Sequence, residues 1–193
     1  MKITSRHVSI FCLILLLSIG FGFAFDAIAA AIEKHSYPRP ESLADSVTAE
    51  AAKNGLPEAM LWATIRCGSN FASNARSEDG RIGLMQLTPA QFDTVRTTVL
   101  GLPVAEEGLL YDPDTNLSSG CAWLSYLYEH YGVWELTFAA YYTDVETVDG
   151  WLSDPTLVDE NGILREIPDK ETASYVKDVM RAVTYYNKLY YET

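Results

Sequence analysis

The side chains best able to hold metals or run redox chemistry are few and widely spaced in this sequence. Its three histidines, at positions 7, 35 and 130, have no metal-ligand spacing and join the three cysteines in no CxxC pattern. Zinc sites in proteins need closely grouped ligands of these types. We therefore expect no metal and no cofactor. Cys67 and Cys121 are the only possible disulfide pair outside the apolar N-terminal segment that contains Cys12, and both a bridge and two free thiols fit the sequence.

A block from Ser77 to Pro89 has the sequence Ser-Glu-Asp-Gly-Arg-Ile-Gly-Leu-Met-Gln-Leu-Thr-Pro. It resembles the Gly-Leu-Met-Gln core of the lysozyme-like lytic transglycosylases. Further matching blocks follow in that family's order: Ile65-Arg66 to Phe71, Leu110 to Pro113 with Asn116 and Gly120, Ala140-Tyr141, and Pro168 to Val176. The resemblance covers roughly residues 41 to 190 and implies an all-α, lysozyme-like fold.

The resemblance also implies a groove that binds the glycan strand of peptidoglycan, which the family cleaves between N-acetylmuramic acid and N-acetylglucosamine. In the family, one carboxylic acid protonates the leaving oxygen and then accepts the proton of the muramic 6-hydroxyl, which closes a 1,6-anhydro ring. This acid must start neutral, so a partly apolar groove raises its pKa. The family does not need a cystine at the two cysteine positions, which favours two buried thiols.

This chain departs from the family at the catalytic acid. The family pattern Glu-Ser-x-Phe is replaced by Gly68-Ser69-Asn70-Phe71, so Gly68 stands where the catalytic Glu is expected. The neighbouring thiol of Cys67 is a poor general acid, and on a helix it points in a different direction. We expect that glycan binding is retained and that normal cleavage is lost.

By position in the matched motifs, the residues expected to line a retained groove are Ser69, Met85, Gln86, Tyr141 and Tyr175. Amide and phenol groups can hydrogen-bond sugar substituents, and an aromatic face can pack on a pyranose ring. Core packing is an equal alternative for Met85. Two other functions stay open. One is a protein–protein adaptor with the same fold, and the other is an active enzyme with a displaced carboxylate, for which the candidates are Glu78, Asp144 and Glu146.

A second departure concerns the loop that lines the groove in the family. The family sequence Ala-Tyr-Asn-Ala-Gly-Pro-Gly is replaced by Ala-Tyr-Tyr-Thr-Asp-Val-Glu over residues 140–146. Residues other than glycine avoid positive φ, so the new loop reaches fewer backbone conformations. We expect a groove of altered shape.

Local start and stop signals outline the helices that must position these residues. Thr88-Pro89 and Asp112-Pro113 are typical helix starts, and Gly55 and Gly132 are typical helix ends. Helical spacing of apolar residues continues from Thr172 to Tyr190, whereas residues 67–79 are polar and predict a loop. Asn161-Gly162 between apolar flanks predicts a small hairpin.

The N-terminus carries a membrane signal. Lys2 and Arg6 precede an uncharged run of 18 residues, Val8 to Phe25. This length is near the ~20 residues that cross a bilayer and exceeds the roughly 7–15 apolar residues of a signal peptide. We predict an N-terminal transmembrane helix that leaves the domain outside the cytoplasm. Cleavage after Ala29 or Ala31 is the alternative.

The predicted organisation is therefore an anchor or signal peptide over residues 1–32, a linker over residues 33–40 and a lytic-transglycosylase-like domain over residues 41–193. The expected location is the cell membrane, with a single span. Asp and Glu number 26 against 14 Lys and Arg, for a net charge of -12, and no basic run follows residue 7. This charge balance argues against a nucleic-acid partner. The expected partners are peptidoglycan glycan strands and the membrane.

Overall fold

The computed structural model describes residues 25 and 27–192. The chain divides into two compact units, one up to Pro38 and one from Arg39. In the first unit, the described residues 27–36 are helical and form α1, so the segment predicted as a linker from residue 33 begins inside a helix. Among the described residues, no helix combines the length and apolar character needed to cross a bilayer. The predicted anchor, Val8 to Phe25, lies outside the described residues except for Phe25.

The second unit is built from α-helices, which confirms the predicted all-α class over the described part of the chain. The helices are α2 (Glu41–Asn54), α3 (Glu58–Ser69), α4 (Pro89–Thr94), α5 (Pro113–Tyr131), α6 (Trp134–Tyr142), α7 (Val145–Ser153) and α8 (Lys170–Tyr190). A π-helical turn, Val95–Val99, follows α4, and a 3-10 helix, Glu107–Tyr111, precedes α5. In residues 25 and 27–192, extended backbone pairs only as isolated bridges.

The predicted local signals start and end these helices. Thr88 and Gln91 form a reciprocal capping box at the start of α4, with N···O distances of 3.1 and 3.0 Å. The Asp112 carboxylate accepts a 2.8 Å hydrogen bond from the Thr115 N–H at the start of α5. Gly55 and Gly132 take left-handed conformations, with φ of 65° and 66°, at the ends of α2 and α5. These boundaries are confirmed.

The core holds α3 in a fixed position. Helix α3 packs against α8, and α6 packs against both α5 and α8. Leu61, Trp62 and Ile65 of α3 are fully buried, and the Trp62 ring stacks on Tyr186 of α8 at 6.5 Å. Burial of such large apolar side chains stabilises the fold by about 1.5–3 kcal/mol each. The carboxyl end of α3, where Gly68 lies, is therefore attached to a rigid support.

Two elements differ from the sequence predictions, and the helix α7 was not predicted. Helix α3 continues to Ser69, so the first residues of the predicted loop are helical. The groove loop is short because Asp144 accepts a 2.7 Å hydrogen bond from the Thr147 N–H and starts α7. The Asn161-Gly162 turn exists, and backbone hydrogen bonds of 2.9 Å from Asp159 to Ile163 and from Arg165 to Leu157 close it. Its arms form only the isolated bridge between Val158 and Leu164, so the predicted hairpin has no strands. An isolated two-stranded hairpin is marginally stable, and Ile163 here is 63% exposed.

Candidate functional site

A cavity of about 160 Å³ lies at the carboxyl end of α3. The segment from Ser77 to Gln86, the end of α6 and the first half of α8 complete it. Its lining residues are Cys67, Gly68, Ser77, Asp79, Arg81, Met85, Gln86, Tyr141, Tyr142 and Tyr175. We call this cavity the cleft.

Gly68 lies in the last turn of α3, inside the helix. The left-handed residue that ends the helix is Asn70, with φ of 47°. A β-carbon at position 68 would lie 3.2 Å from Gln86 Cγ and 3.4 Å from Gln86 Cβ. Position 68 therefore faces the Gln86 side chain at the edge of the cleft, and it supplies no acidic group there.

Asn116 holds the Gly83-to-Gln86 segment in place from α5. Its Oδ1 accepts a 2.7 Å hydrogen bond from the Met85 N–H, and its Nδ2 donates to the carbonyls of Ile82 and Leu110 at 2.8 and 2.9 Å. The Asn116 side chain is fully buried. These three bonds give its amide oxygen and both of its amide N–H groups a partner, as buried polar groups require. The segment that lines one side of the cleft is thereby fixed to α5.

Four of the five predicted groove residues line the cleft, but most of their polar groups have internal partners. Tyr141 is 2% exposed, and its hydroxyl donates a 2.8 Å hydrogen bond to the Met85 carbonyl. Gln86 Nε2 donates to the Gly83 carbonyl at 2.8 Å. Met85 is buried, as its core alternative required. Ser69 does not line the cleft, because its hydroxyl donates to the Leu84 carbonyl at 2.7 Å.

Tyr175 is the predicted groove residue whose polar group is least engaged within the protein. It is half-buried on α8, and its ring stacks on the Tyr142 ring with centroids 4.6 Å apart. Burial raises the pKa of its phenol, so the hydroxyl stays protonated at neutral pH. Within the described residues that hydroxyl has no hydrogen-bond partner, so it is available to a ligand.

The cleft also contains a charged group of residues that the sequence motifs did not predict. Arg81 Nε donates a 2.7 Å hydrogen bond to Asp79 Oδ2, and Arg81 Nη2 donates to the Tyr142 carbonyl. The guanidinium also lies 4.8 Å from the centre of the Tyr142 ring. Asp79 and Arg81 flank Gly80 in the turn directly before the Gly-Leu-Met-Gln motif. That position was the one signal in the sequence for a site role.

Asp79 is the only carboxylate among the described residues that line the cleft. A hydrogen bond from the Ser77 hydroxyl and the ion pair with Arg81 lower its pKa below the ordinary value. A general acid needs a raised pKa, as burial in an apolar pocket provides. Asp79 is therefore an anion at neutral pH, and it is not suited to donate a proton to a glycosidic oxygen.

None of the three displaced-acid candidates lines the cleft. Glu78 is exposed beside Asp79. Asp144 caps α7, and together with Glu146 it lines a separate groove of about 470 Å³ that also contains Trp123. The structure thus brings Met85, Gln86, Tyr141 and Tyr175 together and leaves these three carboxylates apart from them.

The two described cysteines are free thiols. Cys67 lines the cleft, and burial raises the pKa of its thiol. Cys121 is fully buried in α5, with its Sγ 3.9 Å from Met85 Sδ, and burial raises its thiol pKa as well. A neutral thiol with a raised pKa is a weaker acid than an ordinary one, so Cys67 does not replace a carboxyl group.

Comparison with known proteins places this chain in a family. Residues 45–160 match the family model of the transglycosylase SLT domain. The soluble lytic murein transglycosylase of Escherichia coli K12 is 31% identical over 134 residues, which cover 68% of this chain and 21% of the relative. The chain thus spans about a fifth of the length of that curated relative.

Solved structures give the same result. An inactive glutamate-to-glutamine mutant of the lytic transglycosylase Slt from Pseudomonas aeruginosa is 32% identical, with a TM-score of 0.65 over 79% of this chain and 25% of that chain. The complex of a 70-kDa soluble lytic transglycosylase with bulgecin A is 26% identical, with a TM-score of 0.72 over 83% of this chain and 26% of that chain. Since the family model covers more than half of the residues, this chain belongs to the transglycosylase SLT domain family.

Proposed function

We propose that this chain is a membrane-anchored protein of peptidoglycan metabolism that binds glycan strands outside the cytoplasm without cleaving them in the normal way. The observation that carries the proposal is the composition of the cleft. Gly68 occupies the predicted position of the catalytic Glu. Asp79, the one carboxylate in the described lining of the cleft, is held ionised by Ser77 and Arg81.

Glycan binding is supported by the family and by the remaining cleft. A solved relative is a complex with bulgecin A, so a small molecule binds to a protein of this fold. In this chain, Tyr175 offers a phenol and part of an aromatic face beside the Gln86 amide. Such groups suit the hydroxyl and acetamido substituents of an amino sugar.

Loss of cleavage follows from the missing proton donor. Positioned general acid–base catalysis is typically worth about 10²–10⁴-fold, and in the family one group performs both proton transfers. The solved relative from Pseudomonas aeruginosa is inactive after a glutamate-to-glutamine change, which shows how much that relative depends on one carboxyl. Glu78, Asp144 and Glu146 do not line the cleft here, so they offer no substitute at this position.

A turnover assay on isolated peptidoglycan tests this proposal. The purified full-length protein is incubated with peptidoglycan, and the soluble products are identified by mass. Co-sedimentation with the wall and no 1,6-anhydro product is the expected result. Release of anhydro product would overturn it, and the variant Glu78→Gln, Asp144→Asn, Glu146→Gln would then show whether a displaced carboxylate does the work. Failure to bind the wall would favour the alternative function, a protein–protein adaptor with the same fold.

The membrane anchor is proposed from the sequence of residues 8–25 alone. We expect the protein in the membrane fraction, with its domain digested by external protease once the wall is removed. Recovery of a soluble form that starts near Ala30 would show that the segment is cleaved.

A further inference from the structure

Among the described residues that line the cleft, Arg81 is the one cation. Its side chain is only 13% exposed, in a chain with a net charge of -12. A largely enclosed guanidinium in such an acidic protein concentrates positive potential at one point of the cleft. An anionic group on a ligand would therefore find its most favourable position beside Arg81.

Arg81 has donors left for a ligand. A guanidinium carries five N–H groups in a fixed planar fork. One N–H on Nε is used by Asp79, and one on Nη2 is used by the Tyr142 carbonyl. No other acceptor in residues 25 and 27–192 bonds to it. The remaining terminal N–H groups match the two oxygens of a carboxylate.

The guanidinium is also held in one orientation before a ligand arrives. The ion pair with Asp79, the bond to the Tyr142 carbonyl and the stacking on the Tyr142 ring restrain it on three sides. An arginine that is already ordered loses little side-chain entropy on binding. Asp79 offsets part of the positive charge, so the gain from a second carboxylate is moderate.

From this geometry we propose that Arg81 makes the cleft selective for glycan strands that carry a free carboxylate. This inference rests on the proposed binding of peptidoglycan. Every muramic residue bears a lactyl carboxyl group, which is an amide when a peptide is attached and a carboxylate when the peptide has been removed. The preferred ligand is then the peptide-free strand. The reaction that supplies it is hydrolysis of the lactyl amide, in which water adds across the C–N bond to give the carboxylate and the peptide amine.

The test compares two matched ligands. One is a peptide-free glycan strand with free lactyl carboxylates, and the other is the same strand with those carboxyls converted to methyl amides. The full-length protein should bind the carboxylate form about tenfold more tightly at low salt, as one charged hydrogen-bonding contact implies. The preference should shrink as ionic strength rises.

Variants assign the preference to Arg81. Arg81→Ala should abolish it, and Arg81→Lys should retain part of it, since lysine keeps the charge but not the planar fork. Arg165→Ala, which removes an exposed arginine in the turn closed by Val158 and Leu164, should leave it intact. Thermal unfolding checks that each variant is folded. If Arg81→Ala does not fold, the reduced preference of Arg81→Lys is compared with that of the native protein instead.

The outcomes separate the two proposals. Equal affinity of the native protein for both strands, or a preference that survives in Arg81→Ala, would overturn this inference and leave glycan binding standing. Failure to bind either strand would overturn the proposed function itself.

Discussion

A β-carbon added at Gly68 would lie 3.2 Å from Cγ of Gln86. This is closer than an ordinary contact, but the neighbouring atom belongs to a side chain. The backbone of Gly68 is helical, and the left-handed position belongs to Asn70. A larger residue at position 68 therefore requires the Gln86 side chain to shift by a few tenths of an ångström. It causes no backbone strain.

Gly68→Glu should restore some release of 1,6-anhydro product, because it returns a carboxyl group to the edge of the cleft. Restoration should be partial. The loop at Thr143 and Asp144 has also diverged, and misplacement by about 1 Å can cost on the order of 10²-fold. Product masses from digested peptidoglycan measure the effect. The matched control is Gly68→Gln, which has the same shape without the acid and should release none.

The pH dependence of Gly68→Glu gives a second check. The introduced group must be protonated to act as an acid, and the Arg81 cation in the same cleft favours its ionised form. The restored rate should fall as the pH rises toward neutrality. Adding Arg81→Ala should move that fall to higher pH. A rate that increases toward alkaline pH would contradict a carboxylic acid as the proton donor.

Gly120→Ala should destabilise the protein, because Met85 leaves no room beside α5. A β-carbon at Gly120 would lie 2.5 Å from Met85 Sδ and 2.8 Å from Met85 Cβ. Overpacking of this kind costs roughly 1–3 kcal/mol. That range exceeds the gain of about 1 kcal/mol in helix propensity. Urea denaturation measures the free energy of unfolding. Gly108→Ala, where nothing lies within 4 Å of the added carbon, is the control and should change it little.

Asp79→Asn should make the protein less sensitive to acid. In the native fold, the Ser77 hydrogen bond and Arg81 hold the pKa of Asp79 below its ordinary value of 3.8. The unfolded chain then binds the proton first as the pH falls, so the contribution of Asp79 is present above about pH 4 and is lost below it. This carboxylate is half-exposed, so the contribution is no more than roughly 1 kcal/mol.

Thermal unfolding at about pH 5 and about pH 3 measures this contribution. The melting temperature of Asp79→Asn should drop less between the two values than that of the native protein. Asp45→Asn, which changes an exposed carboxylate on α2, controls for the loss of one surface charge. An equal drop in the native protein and in Asp79→Asn would show that the pairing contributes nothing.

The two described cysteines should behave as protected thiols. Reduction of the purified protein should not change its mass, because Cys67 and Cys121 are free. Only thiolates react with alkylating agents, and burial raises both thiol pKa values, so alkylation should be slow. Peptide mapping should find Cys67 labelled before Cys121, which reacts on unfolding. A bridge between the two would appear as a mass gain on reduction.

The sequence alone was enough to predict the features that depend on residues close together in the chain. A cap joins groups three residues apart, as in Thr88 with Gln91 and Asp112 with Thr115, so helix starts are visible in a short window. Left-handed ends need glycine for a steric reason, which made Gly55 and Gly132 reliable. The Gly-Leu-Met-Gln motif, with its ordered companion blocks, indicated the family in the same way.

Only the tertiary structure decided which side chains share the cleft. Arg81 reaches the Tyr142 carbonyl across 61 residues of sequence, and Tyr141 reaches the Met85 carbonyl across 56. Contacts over such separations depend on how α3, α6 and α8 pack, and no local pattern encodes that packing. Packing gave the Ser69 and Tyr141 hydroxyls internal partners and enclosed Arg81 with Asp79, so motif positions alone did not show which polar groups remain unbonded in the cleft.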